Sequence, residues 1–297
     1  MHVRVIGTIL ILVSGLLAGP VQAGDEARST PTSGEARQLL RSFSQAYRPR
    51  DVETRVEAIR VLGRSDHPRI AAQLMKLQKS KRNAPEIQAA LFEALAVQRQ
   101  ARRKVVKQVA AWLRTEAKAM RKRFCGSTPG FRVDPRTGDP DLTSEEGLLV
   151  LEETKARGAV LREAVLCLRK LSTEPPKDAE KLKVFLHHPH DGLVAETLAA
   201  IGKWELRDAM PELLELYRMY PTRCTYDTSI WQAAARLNEQ HARATYTMRF
   251  GHPDKRRSRP EVYRALHACL ESLTDRRFKN PDDLARWMQS SGGERPD

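Results

Sequence analysis

One helical pattern occurs twice in succession, as GAVLREAVLCLRKL at positions 158–171 and as DGLVAETLAAIGK at positions 191–203. The copies align on a core of Glu, a small residue and an apolar residue, so that Glu163 matches Glu196, 33 positions later. In each copy a turn and then a second apolar helix follow. Such a period is typical of stacked helical arrays, because a single pair of helices cannot bury both of its apolar stripes.

The same pattern predicts two further pairs of helices nearer the N-terminus. The Glu-Ala-apolar core recurs at Glu57 and Glu93, 36 positions apart. Asp51 can cap the first of these helices, because its carboxylate can accept hydrogen bonds from the N–H groups of the first turn. Gly63 suits the C-terminal cap of the same helix. We therefore expect helix pairs on both sides of the middle of the chain.

The recurring core resembles the first helix of HEAT repeats. The resemblance extends over 51–116 and 158–221 and is weak over 229–275. It implies an all-α fold, a HEAT-like α-α superhelix of stacked antiparallel helical hairpins, and a usual role in binding or scaffolding. Asn280 followed by Pro281 has the pattern of a helix start, which predicts a short capping helix at the C-terminal end of the array.

The N-terminus has the pattern of a cleavable secretory signal. Arg4 precedes a short apolar run, and small residues lead to a cleavage site after Ala23, so that residues 1–23 are predicted as the signal peptide. We expect an exported protein, periplasmic or secreted, with no transmembrane anchor after cleavage. The rest of the chain divides into a flexible leader (24–35), an α-solenoid (36–289) interrupted by a loop (125–146), and a disordered tail (290–297).

The chain is basic, with a formal net charge of +14, and its densest basic stretch contains ten Lys and Arg against one acid, Glu116. On a continuous helix six of these cations fall near one face, opposite Val105, Val109 and Trp112. Such a face is either a solvated helix surface or a binding strip for an anionic partner. The six cations are Arg99, Arg103, Lys107, Arg114, Lys118 and Arg121, and a second basic segment with Lys255, Arg256 and Arg257 could extend the strip.

Several partners fit a basic exported protein. Nucleic acid is the usual partner of so basic a chain, but export and the lack of interleaved aromatic residues argue against it. An acidic protein, an anionic envelope polymer or a lipid head-group surface fits better. The first hypothesis is therefore a non-enzymatic binding or scaffolding module. Another is a structural element that assembles end to end through its terminal repeats, and the oligomeric state is left open.

An alternative hypothesis is an enzyme accessory or hydrolase-like protein with its site under the 125–146 loop. Its acids would come from Asp134, Asp139 or Glu145, and its base from His187 or His190. No catalytic, haem, phosphate-loop or calcium-loop motif is present in the sequence, so we expect no enzyme activity, no cofactor and no metal. The histidines at 187–190 are predicted to form an inter-repeat turn with polar caps.

Four cysteines in a chain with a predicted signal peptide raise the question of disulfides. Cys167 and Cys269 lie within apolar helix stripes, so we expect them to be buried as small hydrophobic residues. Cys125 and Cys224 lie in predicted loops and form a possible disulfide, although the sequence leaves the connectivity open.

Overall fold

The fold is all-helical. The computed structural model describes residues 30–80, 83–125, 145–188, 190–219 and 260–291, and no strand occurs within these ranges. They form ten α-helices and two 3₁₀ helices, one at Ala179–His187 and a short one at Arg207–Ala209. The α-helices are α1 (Ser33–Ala46), α2 (Val52–Gly63), α3 (Pro68–Gln78), α4 (Pro85–Leu95), α5 (Arg102–Cys125), α6 (Glu145–Leu171), α7 (Asp191–Lys203), α8 (Met210–Met219), α9 (Pro260–Thr274) and α10 (Pro281–Ser291).

The helices pack in two layers. In the first layer α1, α2, α4, α6, α7 and α9 each contact the next. In the second layer α3, α5, the Ala179–His187 helix, α8 and α10 follow one another in the same way. Each first-layer helix from α2 onward is followed in the chain by a second-layer helix, so the described residues stack as five consecutive helix pairs.

The core runs along the stack between neighbouring pairs. One group of buried side chains extends from α1 to α7, and a second extends from the Ala179–His187 helix and α7 to α10. Helix α7 belongs to both groups, because Leu193 and Ala200 pack on the first side while Val194 and Leu198 pack on the other. The expectation that neighbouring pairs must cover each other's apolar stripes is confirmed for this helix.

Side chains from one helix pair cap the first-layer helix of the preceding pair. The Gln98 amide donates to the carbonyl of Ser65 at 3.0 Å, beyond the end of α2. The Lys203 ammonium donates to the carbonyls of Arg169 at 2.5 Å and of Ser172 at 2.8 Å, at the end of α6. The Ser272 hydroxyl donates to the carbonyl of Gly202 at 3.2 Å, at the end of α7. These bonds satisfy carbonyls that a helix end leaves without a partner.

Several helix boundaries differ from the predicted ones. Helix α1 begins at Ser33, within the predicted leader, because Thr32 and Glu35 cap each other reciprocally. Helix α6 begins at Glu145 rather than near Gly158, since a single Gly costs a helix only about 0.5–1 kcal/mol relative to Ala. Gly158 instead permits a close approach, because a Cβ there would lie 2.4 Å from the Cβ of His190.

Other local predictions can be compared directly with the structure. The Asp51 and Asn280 caps are confirmed, since each side chain accepts a backbone N–H, from Thr54 at 2.7 Å and from Asp283 at 2.9 Å. The proposed Gly63 cap is wrong, because α2 continues through Gly63 and Arg64 takes the cap position in right-handed conformation. The second helix predicted after the 158–171 copy is present as the 3₁₀ helix Ala179–His187, preceded by Asp178 with a positive φ of 65°.

Candidate anion-binding groove

The exposed face of α5 carries the predicted basic strip. Arg103, Lys107, Arg114 and Lys118 are all exposed on this continuous helix, whereas Val105, Val109 and Leu113 on its other side are fully buried. Arg99 is not part of the strip on the helix, because it lies in the turn before α5, where its backbone N–H donates to Asp66 at 3.1 Å. Arg102, the first residue of α5, lies beside Arg103 and joins the strip instead.

A turn from the next helix pair faces this strip and makes it one side of a groove. The groove has a volume of about 730 Å³ and lies between the first half of α5 and residues 172–177. Its cationic lining consists of Arg102, Arg103, Lys107, Arg114 and Lys177. Glu174 is the only acid among the lining residues. Four of the five cations come from α5, and the facing wall adds Lys177 together with Glu174, so the positive potential of the groove comes mainly from α5.

Two contacts join the walls of the groove at its ends. Near the start of α5, the Arg102 guanidinium donates to the hydroxyl of Thr173 at 2.8 Å. Three turns later, Arg114 forms an ion pair with Asp178 at 2.8 Å. Hydrogen bonds from Lys181 and Arg114 hold the pKa of Asp178 below its ordinary value, so this carboxylate stays ionised and keeps Arg114 in place.

The second wall is fixed from behind by the following helix pair. Ser172 is buried, and its carbonyl accepts hydrogen bonds from Lys203 at 2.8 Å and from the indole of Trp204 at 3.5 Å. The Ser172 hydroxyl donates to the carbonyl of Glu174 at 2.6 Å. Pro175 and Pro176 restrict the backbone further, because the proline ring fixes φ. The wall is therefore preformed, which lowers the entropic cost of binding.

Three cations of the groove are not neutralised by any of the residues that the structure describes. None of the described residues forms an ion pair with Arg103, Lys107 or Lys177. Solvent exposure keeps all three side chains accessible. The walls are thus joined by Arg102 and Arg114, while the remaining cations are open to an added anion.

Glu116, the one acid of the basic stretch, does not neutralise the strip. Its carboxylate points to the opposite side of α5 and binds Arg157 of α6 through two hydrogen bonds, of 2.5 and 3.1 Å. Arg157 also donates to Gln88 of α4 at 2.7 Å and lies over the ring of Trp112 at 5.1 Å. This cluster joins three helices, and the charge of Glu116 is used there rather than in the groove.

Some of the predicted site residues lie outside this groove or outside the described residues. Lys118 is exposed on α5 but does not line the groove. The side chains of Arg121 and Cys125 are not described, and the possible Cys125–Cys224 disulfide stays a prediction. The other predicted positions outside the described residues are Asp134, Asp139, Cys224, Lys255, Arg256 and Arg257.

His188 and His190 precede α7 and accept backbone N–H groups at its N-terminal end. His190 precedes the helix, and its Nδ1 accepts the backbone N–H of Leu193 at 3.1 Å. His188 is buried, and its Nδ1 accepts the backbone N–H of His190 at 3.1 Å. Burial, together with the nearby Arg162, lowers the pKa of His190, which favours the neutral form that this cap requires. Nowhere in the described ranges do three or more His, Cys, Asp or Glu side chains come together in a way that could hold a metal ion.

Cys167 and Cys269 are buried free thiols, as predicted. Burial raises the pKa of both, and that of Cys269 to about 12, so neither is activated as a nucleophile. Among the described residues, none of the helices combines the length and the apolar character that a membrane span requires.

Comparison with protein-family models, with curated proteins and with solved structures found no match. Any function must therefore be inferred from the geometry of the groove. The charge pattern of the sequence predicts the α5 side of the groove but not Arg102, Lys177 or the 172–177 wall. The signal for this wall was Lys177 directly after Pro175 and Pro176, in the turn of the next repeat.

Proposed function

We propose that this protein is a non-enzymatic binding module whose basic groove holds an anionic segment of a partner macromolecule. The observation that carries the proposal is the convergence of Arg103, Lys107 and Lys177 from two helix pairs, without a neutralising ion pair among the described residues. A solvated helix face would not require a facing wall, and here residues 172–177 bring Lys177 towards the cations of α5.

The two-layered stack supports a HEAT-like superhelix as its architecture. Five helix pairs follow one another, and the ends of the first-layer helices are connected by hydrogen bonds from pair to pair. In such arrays each repeat contacts only its neighbours, and extended surfaces are left for binding. Lys177 and Arg103 belong to successive pairs, so the groove depends on this stacking.

We also propose that residues 1–23 are a cleavable signal peptide, which would direct the protein to the periplasm or outside the cell. There, an acidic protein or an anionic envelope component is a more suitable partner than nucleic acid. The alternative of a hydrolase-like site under the 125–146 loop has less support. Its candidate base His190 caps α7 with Nδ1, and Asp134 and Asp139 lie outside the described residues.

Binding of two anionic probes, polyglutamate and dextran sulfate, tests this function. The double variant Arg103→Glu with Lys107→Glu reverses two cations of the groove, and we expect it to lose at least about tenfold in affinity, because both charges then repel the probe. Affinity of the unaltered protein should fall with rising salt, because the contacts are solvent-exposed.

The matched control reverses the same amount of charge outside the groove. Arg276 and Lys279 are exposed between α9 and α10, and neither residue lines the groove. Lys279→Glu combined with Arg276→Glu should bind the probes nearly as the unaltered protein does. Equal losses in both double variants would mean that net charge alone attracts anions, and the proposal of a groove would be wrong.

A further inference from the structure

We infer that the groove takes an extended acidic peptide segment of a partner protein, in which carboxylate side chains alternate with apolar ones. This inference rests on the proposed function and adds the chemistry of the partner. It follows from three features of the groove: an apolar floor, the spacing of its cations and the type of those cations.

The floor of the groove is apolar. Between the cations, the lining consists of small or compact apolar side chains, Val106, Ala110 and Ala111 from α5 and Pro175 and Pro176 from the opposite wall. Ala111 and Pro175 are exposed and Val106, Ala110 and Pro176 are half-buried. A chain that carries charge on every unit would leave this surface wet, whereas apolar side chains that cover it gain free energy from the area removed from water.

The cations are spaced for a short extended segment. At 1.5 Å per residue along α5, Arg103 and Lys107 are about 6 Å apart and Arg103 and Arg114 about 16 Å apart. An extended peptide rises about 3.3 Å per residue and directs alternate side chains to the same side, so its residues i and i+2 are about 6.6 Å apart. Five or six residues therefore span the groove, with every second side chain facing the cations.

The groove contains arginine at positions where a carboxylate could be bound by two parallel hydrogen bonds. A guanidinium presents a planar fork that matches the two oxygens of a carboxylate. Arg103 is exposed and lines the groove, so its guanidinium is accessible to an added carboxylate, and Lys107 and Lys177 supply further positive charges. Glu174 is the only acid among the lining residues, so the lining as a whole attracts carboxylates.

Two synthetic six-residue peptides of equal charge test the inference with the purified protein. One alternates glutamate with leucine, and the other alternates glutamate with serine. We expect the glutamate–leucine peptide to bind about tenfold more tightly, because only its apolar side chains can cover the floor. Arg103→Glu with Lys107→Glu should weaken both peptides at least about tenfold, while Arg276→Glu with Lys279→Glu should leave both nearly unchanged.

A variant of the floor separates the apolar contribution from the charges. Val106→Thr keeps the shape of a half-buried side chain and replaces a methyl group with a hydroxyl, so it should reduce the advantage of the glutamate–leucine peptide and leave the other peptide unaffected. Circular dichroism of each variant checks that the helices are retained.

The outcomes distinguish this inference from the proposed function. Equal binding of the two peptides, lost in the groove variant, would overturn the role of the floor and leave the anion-binding groove intact. Binding of dextran sulfate through the groove without binding of either peptide would also overturn the peptide inference alone. If no probe binds, or if the groove variant binds all probes as well as its control does, both proposals fail.

Discussion

The close crossing of α2 and α4 makes Gly63→Ala a sharp test of the stack. Gly63 is in right-handed helical conformation at the end of α2, so an alanine there meets no backbone strain. An added Cβ would, however, lie 2.5 Å from the Cβ and 2.9 Å from the Cα of Ala94 in α4. Because one of these atoms is backbone, the two helices themselves must move apart.

The expected cost follows from two opposing effects. Overpacking of a tight contact typically costs about 1–3 kcal/mol. Replacement of Gly by Ala within a helix recovers about 0.5–1 kcal/mol. The overpacking is the larger effect, since it acts on the backbone of α4, and we expect a net loss of about 1–2 kcal/mol. For a chain of this size the melting temperature should fall by about 2–4 °C per kcal/mol.

Thermal and urea unfolding, followed by circular dichroism, measure this loss. Gly34→Ala is the matched control, because Gly34 is exposed in α1 and the atom nearest to an added Cβ is the Thr32 hydroxyl at 3.9 Å. It should leave stability unchanged or raise it slightly. Adding Ala94→Gly to Gly63→Ala removes the colliding methyl group, so the double variant should be less destabilised than the sum of the single ones. A Gly63→Ala variant as stable as the original protein would refute the close packing of α2 on α4.

Two further predictions concern titration and reactivity. The pKa of His190 in the folded protein lies below its ordinary value of 6.5 because of burial, so this group's contribution to stability is complete above the unfolded pKa and is lost as the pH falls through the folded pKa. The urea concentration at the midpoint of unfolding should therefore fall when the pH is lowered from 8 to 5. It should fall less in His190→Asn, because asparagine also caps a helix well but does not titrate in this range. An identical pH dependence in the variant would contradict this role of His190. Cys167 and Cys269, both buried with raised pKa values, should resist iodoacetamide at pH 8 until the protein is unfolded, as measured by mass spectrometry of the labelled peptides. Rapid native labelling of either thiol would show that its helix is not packed as described.

Most of the helix positions could be predicted from sequence because the signals are local. The recurring helical pattern identified α2, α4 and α7, and the caps Asp51 and Asn280 act on their own first turns. The start of α6 was missed because Gly158 resembles a helix boundary in sequence, whereas its function is a contact with His190, a residue of a later turn. Gly63 was predicted as a helix cap for the same reason: the glycine is needed for the close contact with Ala94, which is distant in sequence.

The groove could be predicted only in part. The cations of α5 lie on one helix, so their common face follows from the helical period. The facing wall is brought there by the packing of α5 against the Ala179–His187 helix and by the bonds of Arg102 and Arg114 to Thr173 and Asp178. Such contacts between positions more than 60 residues apart carry no local signal.

The hydrogen bonds between helix pairs also determine where the chain can change in length. They all lie near the C-terminal ends of the first-layer helices, where short turns lead to the second layer. The Ser272 hydroxyl donates to the Gly202 carbonyl at 3.2 Å although the two residues are 70 positions apart in the sequence. Insertions or deletions in the turns that follow α2, α6 and α7 would therefore remove bonds that hold neighbouring helix pairs together.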